Sequence, residues 1–466
     1  MASALQKRVW GWMAFDWATQ PFYTLGLTFI FGPYFAGVVT ETLMADGMAE
    51  NAADARAQSL WALGQTMAGL IIAFSGPVLG AYADSTGRRM PWIVGFSLVY
   101  VVTTALLWQM TPDGAAIWFC LYVFAIGFIA AEFALIFVNA QLPSLGGEEA
   151  IGKISGTGAS VGYWGGVLSL FIMLLFFFES DAETGTTLLG HAPALGLNPE
   201  TREGTRIVGP FIALWFVIFM IPYFLWVREP APVVKQGGMK QALGDLWTSL
   251  KGIAHRDSLK GFLLSSMFYR DALNALYGFG GVYAKLVLNW SLTQIAVFGI
   301  IGAVTAGVAT WVGGKLDARY GPRPVIIGSI FILIAVCVVI VGMTREFVFF
   351  ISLGPESRVP DTLFYICGAC IGGAGGTIYA SSRSMMVRHT HPDRPTEAFG
   401  LFALSGKATA FLAPALILTF TELTGSPRLG IAPVILLFMI GLVLLVFVNK
   451  DGDRAAWADT SSSHSA

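Results

Sequence analysis

Gly80-Ala81-Tyr82-Ala83-Asp84-Ser85-Thr86-Gly87-Arg88-Arg89 ends one long apolar run and precedes another. Gly80 has no side chain to hold a neighbouring helix away. Asp84 falls at a helix end, and Gly87 suits a tight turn. Arg88 and Arg89 stay in water, where cations suit acids or the C-terminal end of a helix. The same order returns as Gly313-Gly314-Lys315-Leu316-Asp317-Ala318-Arg319-Tyr320-Gly321-Pro322-Arg323. The two aspartates are 233 residues apart, and a second pair, Asp16 and Asp271, is 255 apart. The 22-residue difference is assigned to a longer loop after the first apolar run (39–57) than after the seventh (288–291). One duplication then accounts for both landmarks, as in carriers built from repeated bundles.

Outward from these turns, twelve segments have the roughly twenty mostly apolar residues that a helical span needs. They are 10–38, 58–82, 90–110, 115–140, 152–178, 207–227, 260–284, 292–314, 324–343, 362–387, 397–421 and 428–448. The predicted fold is an all-α polytopic membrane protein, twelve transmembrane helices in two six-helix halves. Residues 1–228 form the first bundle, 229–259 a polar, basic cytoplasmic linker loop, 260–449 the second bundle, and 450–466 a Ser-rich disordered tail. Composition agrees: charged residues make up 12% of the chain and hydrophobic ones 55%, with mean hydropathy +0.67. A soluble domain carries about 25% charged residues, because its whole surface meets water. A net charge of −1 argues against nucleic acid as a partner.

Eighteen Lys and Arg flank the side that holds the N-terminus and seven the other, which predicts both termini in the cytoplasm. No cleavable leader is expected, since Met1 to Lys7 is short and polar and the first apolar run contains Asp16. Cys120, Cys337, Cys367 and Cys370 lie in apolar runs and read as small buried residues. Neither a metal nor a cofactor is expected. The five histidines fall in loops or the tail, and Gly372-Gly373-Ala374-Gly375-Gly376 lacks the Lys-Thr and flanking strand of a phosphate loop.

The Gly80–Arg89 element resembles the signature of the major facilitator superfamily. That resemblance implies a latch holding the cytoplasmic face shut in one state of alternating access. Its parts would be Gly80, Asp84, Gly87, Arg88 and Arg89, with Asp317 and Arg323 in the second half. Ser85 stands where a basic residue is commonest. A closer resemblance rests on Phe15-Asp16-Trp17-Ala18, Phe29-x-x-x-Pro33-Tyr34-Phe35, Asn139-Ala140-x-Leu142-Pro143 and Ile154-Ser155-Gly156-x-Gly158. Gly162-Tyr163-x-Gly165-Gly166, Tyr269-Arg270-Asp271-Ala272, Ser382-Arg383-Ser384, Glu397-Ala398-Phe399-Gly400 and Ser405-Gly406-Lys407 complete it. Together they are similar to the "unknown major facilitator" family, whose fungal relatives are autophagy-related vacuolar effluxers associated with amino-acid release. Thr19-Gln20 and Ala272 depart from that pattern at the expected cavity. The resemblance implies the major facilitator fold, with spans five and eight meeting through small residues.

Six ionisable residues fall at membrane depth: Asp16, Glu132, Arg270, Asp271, Arg383 and Lys407. Each costs several kcal/mol there without a partner, water or a task. The first half holds only acids, and the second is net basic. Opposite charges on two bundles could pair in one state, and a zwitterion could replace them, its amine at Asp16 or Glu132 and its carboxylate at Arg270, Arg383 or Lys407. The same acids could carry protons, and all six could instead be static pairs. Asp16, Thr19, Gln20 and Tyr23 share one face of span 1 and read as cavity lining, as does the Asp271, Asn274, Gly278 stripe of span 7. Pro21 and Pro33 predict kinks in span 1.

The expected activity is secondary active transport of a small polar solute, amino acids first, by alternating access, with protons as a coupling ion. Sugar or drug and cation carriers are alternatives, and an intramembrane lipid-modifying enzyme is the rival from another class. No catalytic residue is assigned. Membrane lipid is the other expected partner, the chain is read as a monomer, and the location as a bacterial inner membrane.

Overall fold

The computed structural model describes residues 2–179, 184–229, 239–290, 292–354 and 357–453. Of the predicted tail, residues 454–466 lie outside the described residues, as does Lys235 of the linker. Among the described residues, eleven helices are long and apolar enough to cross a membrane. In the first half these are span 1 (Ala4–Ala45), span 2 (Ala52–Thr86), span 3 (Met90–Gln109), span 4 (Ile117–Ser144), span 5 (Glu149–Phe176) and span 6 (Glu203–Trp226). In the second they are span 8 (Gln294–Tyr320), span 9 (Pro322–Val341), span 10 (Val359–His389), span 11 (Pro395–Thr424) and span 12 (Arg428–Leu445). Span 7 is the 32-residue helix Asp257–Leu288. It has the length but not the apolar character of the others, because Arg270 and Asp271 interrupt its middle and Asp257, Lys260 and Lys285 its ends.

Three expectations need correction. The loop expected over 39–57 is mostly helix: one helix runs to Ala45 and the next starts at Glu50. Polar residues misled the reading, although Ala-rich Glu50–Gln58 favours helix outside the bilayer as well. The linker is not all loop, since Met239–Ile253 is helical. Span 1 is broken rather than merely kinked. It runs as α-helix Ala2–Pro21, π-helix Phe22–Phe29 and α-helix Phe31–Ala45. Pro21 has no N–H to offer the Trp17 carbonyl. The indole N–H of Trp215 donates to that carbonyl instead, at 3.2 Å.

The chain divides into two compact units. The first comprises Met1–Ile72, Arg88–Val138 and Val161–Pro232. Its core is aromatic: Phe22 stacks on Phe124 at 5.3 Å, and Trp61 lies 4.3 Å from the same ring. The second comprises Ala73–Gly87, Asn139–Ser160 and Val233–Ala466. One end of span 2 and one end of span 5 thus belong with the second-half helices. Span 10 packs on span 8 through glycine, and a Cβ at Gly372 would overlap the Gly302 carbonyl.

Candidate functional site

Within the second unit, Asp84 meets the first turn of span 11. Its carboxylate accepts the Thr396 hydroxyl at 2.7 Å and the Glu397 backbone N–H at 2.9 Å. Both donors belong to a helix N-terminus, whose unsatisfied amides favour a negative partner. The approach needs glycine on both sides. A Cβ on Gly80 would lie 2.5 Å from the Thr396 carbonyl, and one on Gly400 2.6 Å from the Gly76 carbonyl. Gly87 takes φ +66°, and its repeat counterpart Gly321 takes +86°. Each ends its helix in the left-handed region where other residues are strained. Replacing Asp84 with Ala should weaken this contact about tenfold, since losing an acidic N-terminal partner costs ~1–2 kcal/mol. The check is alkylation of a cysteine placed at buried Ala81; an unchanged rate would show that the carboxylate does not hold the contact.

The second copy makes a different contact. Asp317 accepts the Ser384 hydroxyl at 3.1 Å, and its carboxylate lies against Gly152 of span 5. One turn on, Gly156 meets Gly314 backbone to backbone. Arg383, expected in the cavity set, is fully buried beside this contact. It donates to the Ser155 carbonyl at 2.8 Å, the Ser155 hydroxyl at 3.2 Å and Asn139 Oδ1 at 3.4 Å. Arg323 donates to the carbonyls of Leu445 and Val446, the last turn of span 12. Arg88 is exposed, whereas the backbone N–H groups of Arg89 and Met90 donate to the Glu229 carboxylate within the first unit.

Deeper in the second unit, three of the expected ionisable residues gather around span 11. That span is discontinuous: helix Pro395–Ala408 stops, and helix Leu412–Thr424 restarts after a turn. Lys407 sits in the last turn of the first segment, where a cation suits the helix end. Asp271, 1% exposed, accepts the Ala413 N–H at 2.9 Å in the first turn of the second segment. Arg270 donates to the Phe402 carbonyl at 3.0 Å, with its guanidinium 4.4 Å above the Phe402 ring. Asn274 does not share the surroundings of Asp271: it is exposed, whereas Asp271 is buried against span 11.

In the first unit, the Tyr23 hydroxyl donates to Glu132 Oε1 at 3.2 Å. Tyr23 is the second residue of the π-helical stretch, a local geometry often found at functional positions. Asp16 and Gln20 lean on span 5, where Gly162 and Gly166 leave room for them. Asp16 is buried rather than openly lining a cavity. Among the described residues, no cluster of His, Cys, Asp and Glu could hold a metal ion.

The model of the family described as "Vacuole effluxer Atg22 like" matches residues 4–456. The chain belongs to that Atg22-like family. A relative from Bacillus subtilis, the uncharacterized MFS-type transporter YxiO, is 25% identical over 97% of each chain. Autophagy-related protein 22 of Cryptococcus neoformans is 22% identical over 66% of this chain and 55% of the fungal one, so this chain spans about half of that protein's length. The human organic anion transporter MFSD10 shares the fold, with TM-score 0.65 and 15% identity over 95% of this chain and 98% of that structure. This Atg22-like chain is therefore a multi-pass major facilitator transporter, not an enzyme.

For the Atg22-like protein, sequence reasoning missed Thr396, Glu229, Ser155 and Asn139 as contact residues. A signal for part of this was present: Glu149-Ala150-Ile151-Gly152 repeats as Glu397-Ala398-Phe399-Gly400, and both glycines lie in close helix contacts. Nothing comparable marks Glu229, an acid in a linker whose partner is 140 residues away.

Proposed function

We propose that the chain is a proton-coupled carrier of amino acids, working by alternating access in a bacterial inner membrane with both termini in the cytoplasm. Glu132 in the first unit, held by the Tyr23 hydroxyl, supplies a carboxylate for the solute's ammonium, and Lys407 in the second unit supplies a cation for its carboxylate. One observation carries this reading. The first unit contributes only acids from the intramembrane set, while the second collects Arg270, Asp271 and Lys407 about a break in span 11. Broken helices bring backbone charge and side-chain charge together at membrane depth, which is how many carriers hold ionic cargo. The Asp84 and Gly156 contacts then belong to the state closed toward the cytoplasm. The description of the family as effluxers supports export as the physiological direction.

The test is uptake of a labelled amino-acid pool into proteoliposomes, with and without an inward proton gradient. Uptake should rise with the gradient. Lys407→Ala should raise KM about tenfold, as expected when a charge-assisted hydrogen bond worth ~1.5 kcal/mol is lost. Uptake of an organic anion lacking an amine, with amino acids inert, would transfer the reading to the cargo named for MFSD10.

A further inference from the structure

The linker between the halves hides an amphipathic helix whose apolar residues are only partly accounted for by the protein. Leu243, Leu246, Trp247, Leu250 and Ile253 recur at the spacing of one helix face within Met239–Ile253. One flank of that face is buried. Leu246 joins Ala81 and Leu401 in an apolar cluster, with Ile253, Val78, Tyr82 and Leu404 packed around it. Part of the polar flank is also turned inward. Arg394 donates to the Ser249 hydroxyl at 3.0 Å, and Thr248, Ser249 and Gly252 line a cavity with Arg256, His391 and Arg394. Leu243, Trp247 and Leu250 are nevertheless 46%, 61% and 38% exposed, beside the exposed polar residues Gln241, Thr248 and Lys251.

A helix facing only water would not leave three large apolar side chains on its surface at this spacing. At about 100° per residue, the three exposed side chains fall within an arc of roughly 60°. Lys251 lies at its edge, its Nζ 5.2 Å from the centre of the Trp247 ring. The stretch 228–260 carries six basic residues against three acidic ones. An apolar stripe with Trp, bordered by Lys in a basic segment, is complementary to an anionic bilayer surface.

We propose that Leu243, Trp247 and Leu250 lie in the headgroup layer of an anionic leaflet, and that lipid held there braces the Asp84 contact. The brace follows from position. Leu246 touches Ala81 of span 2 and Leu401 of span 11, the two helices that Asp84 joins. Lipid that fixes the helix in place keeps Leu246 seated between them. Lipid that releases it removes that apolar cover.

The test uses the full chain, with its native cysteines replaced, reconstituted in phosphatidylcholine with or without phosphatidylglycerol. A spin label at Leu250→Cys should be more accessible to oxygen than to a water-soluble nickel chelate in the anionic liposomes. A label at Thr248→Cys should show no such preference. Trp247→Glu, or removal of phosphatidylglycerol, should abolish the contrast. A separate cysteine at Ala81 should be alkylated several-fold more slowly in anionic liposomes than in neutral ones, and Trp247→Glu should cancel the difference. Preferential nickel access at Leu250→Cys in both liposomes would overturn the proposal. So would shielding from both reagents, which would give the face to a second copy of the chain. These readouts involve no transported solute, so they stand or fall separately from the amino-acid assignment.

Discussion

Gly156→Leu should reduce transport about a hundredfold while leaving a folded, membrane-inserted protein. A Cβ at Gly156 has nowhere to go. It would overlap the Gly314 Cα and lie 2.9 Å from both the Gly314 nitrogen and the Thr310 carbonyl oxygen, all of them backbone atoms. A flexible side chain could swing aside, but two helix backbones can only separate. Overpacking of this kind costs ~1–3 kcal/mol, and the upper end of that range is about two decades in an equilibrium constant. The cost falls on the arrangement in which spans 5 and 8 touch, so the conformational equilibrium should shift away from it. A cysteine at Ser381, fully buried in the wild-type arrangement, reports that shift. Its alkylation by a water-soluble maleimide should accelerate in Gly156→Leu. Gly95→Leu is the control, because no atom lies within 4 Å of a Cβ there. Slow alkylation together with normal transport in Gly156→Leu would show that the contact is dispensable.

The helical architecture was legible because it depends on counting. Runs of apolar residues interrupted by Gly-Arg turns report the solvent on either side of each element, and no tertiary knowledge is needed. The same counting failed at 39–57, where polar residues extend the helices of spans 1 and 2 past their apolar stretches, and in the linker, where they lie in a helix outside the spans. Hydropathy measures the surroundings of a helix rather than its existence. Ala-rich Glu50–Gln58 and the five-residue apolar stripe of Met239–Ile253 carried the missing signal as propensity and periodicity.

Side-chain roles were harder to read, for a physical reason. Intramembrane charge marks a residue as costly, but it does not say which partner offsets the cost. Arg383 shows the difficulty. It is as ionisable as Lys407 and stands in an equally apolar run, yet it is buried against the Ser155 carbonyl and Asn139. Those partners lie more than 200 residues away and carry no charge, so charge pairing could not have located them. Asp271 illustrates the same limit, since its partner is the backbone N–H exposed by a helix break. The turn at Thr409–Phe411 has no glycine or proline of its own, and Pro414 comes only after the second segment has begun.

Asp271 serves two roles that substitution can separate. As a hydrogen-bond acceptor, it satisfies the Ala413 N–H in the first turn of Leu412–Thr424. As an acid, it is one of the residues proposed to carry the coupling proton. Asp271→Ala removes both functions. An N-terminal acceptor is worth ~0.5–2 kcal/mol, and a buried amide left unsatisfied adds ~1–3 kcal/mol. Solute exchange without a gradient should therefore fall at least about tenfold, since 1.4 kcal/mol is one decade. Asp271→Asn keeps a carbonyl oxygen of nearly the same size and reach but cannot release a proton. Exchange should stay within about twofold of wild type, because the hydrogen bond that orders the break survives. Accumulation driven by a proton gradient should be lost. Counterflow and gradient-driven uptake, measured on the same proteoliposomes, decide the matter. If Asn stops exchange as completely as Ala, the break needs the negative charge and not merely an acceptor, and the capping account fails. If Asn still accumulates solute against its gradient, the proton is carried elsewhere, and Glu132, held by the Tyr23 hydroxyl at the start of the π-helical stretch, is the next acid to substitute.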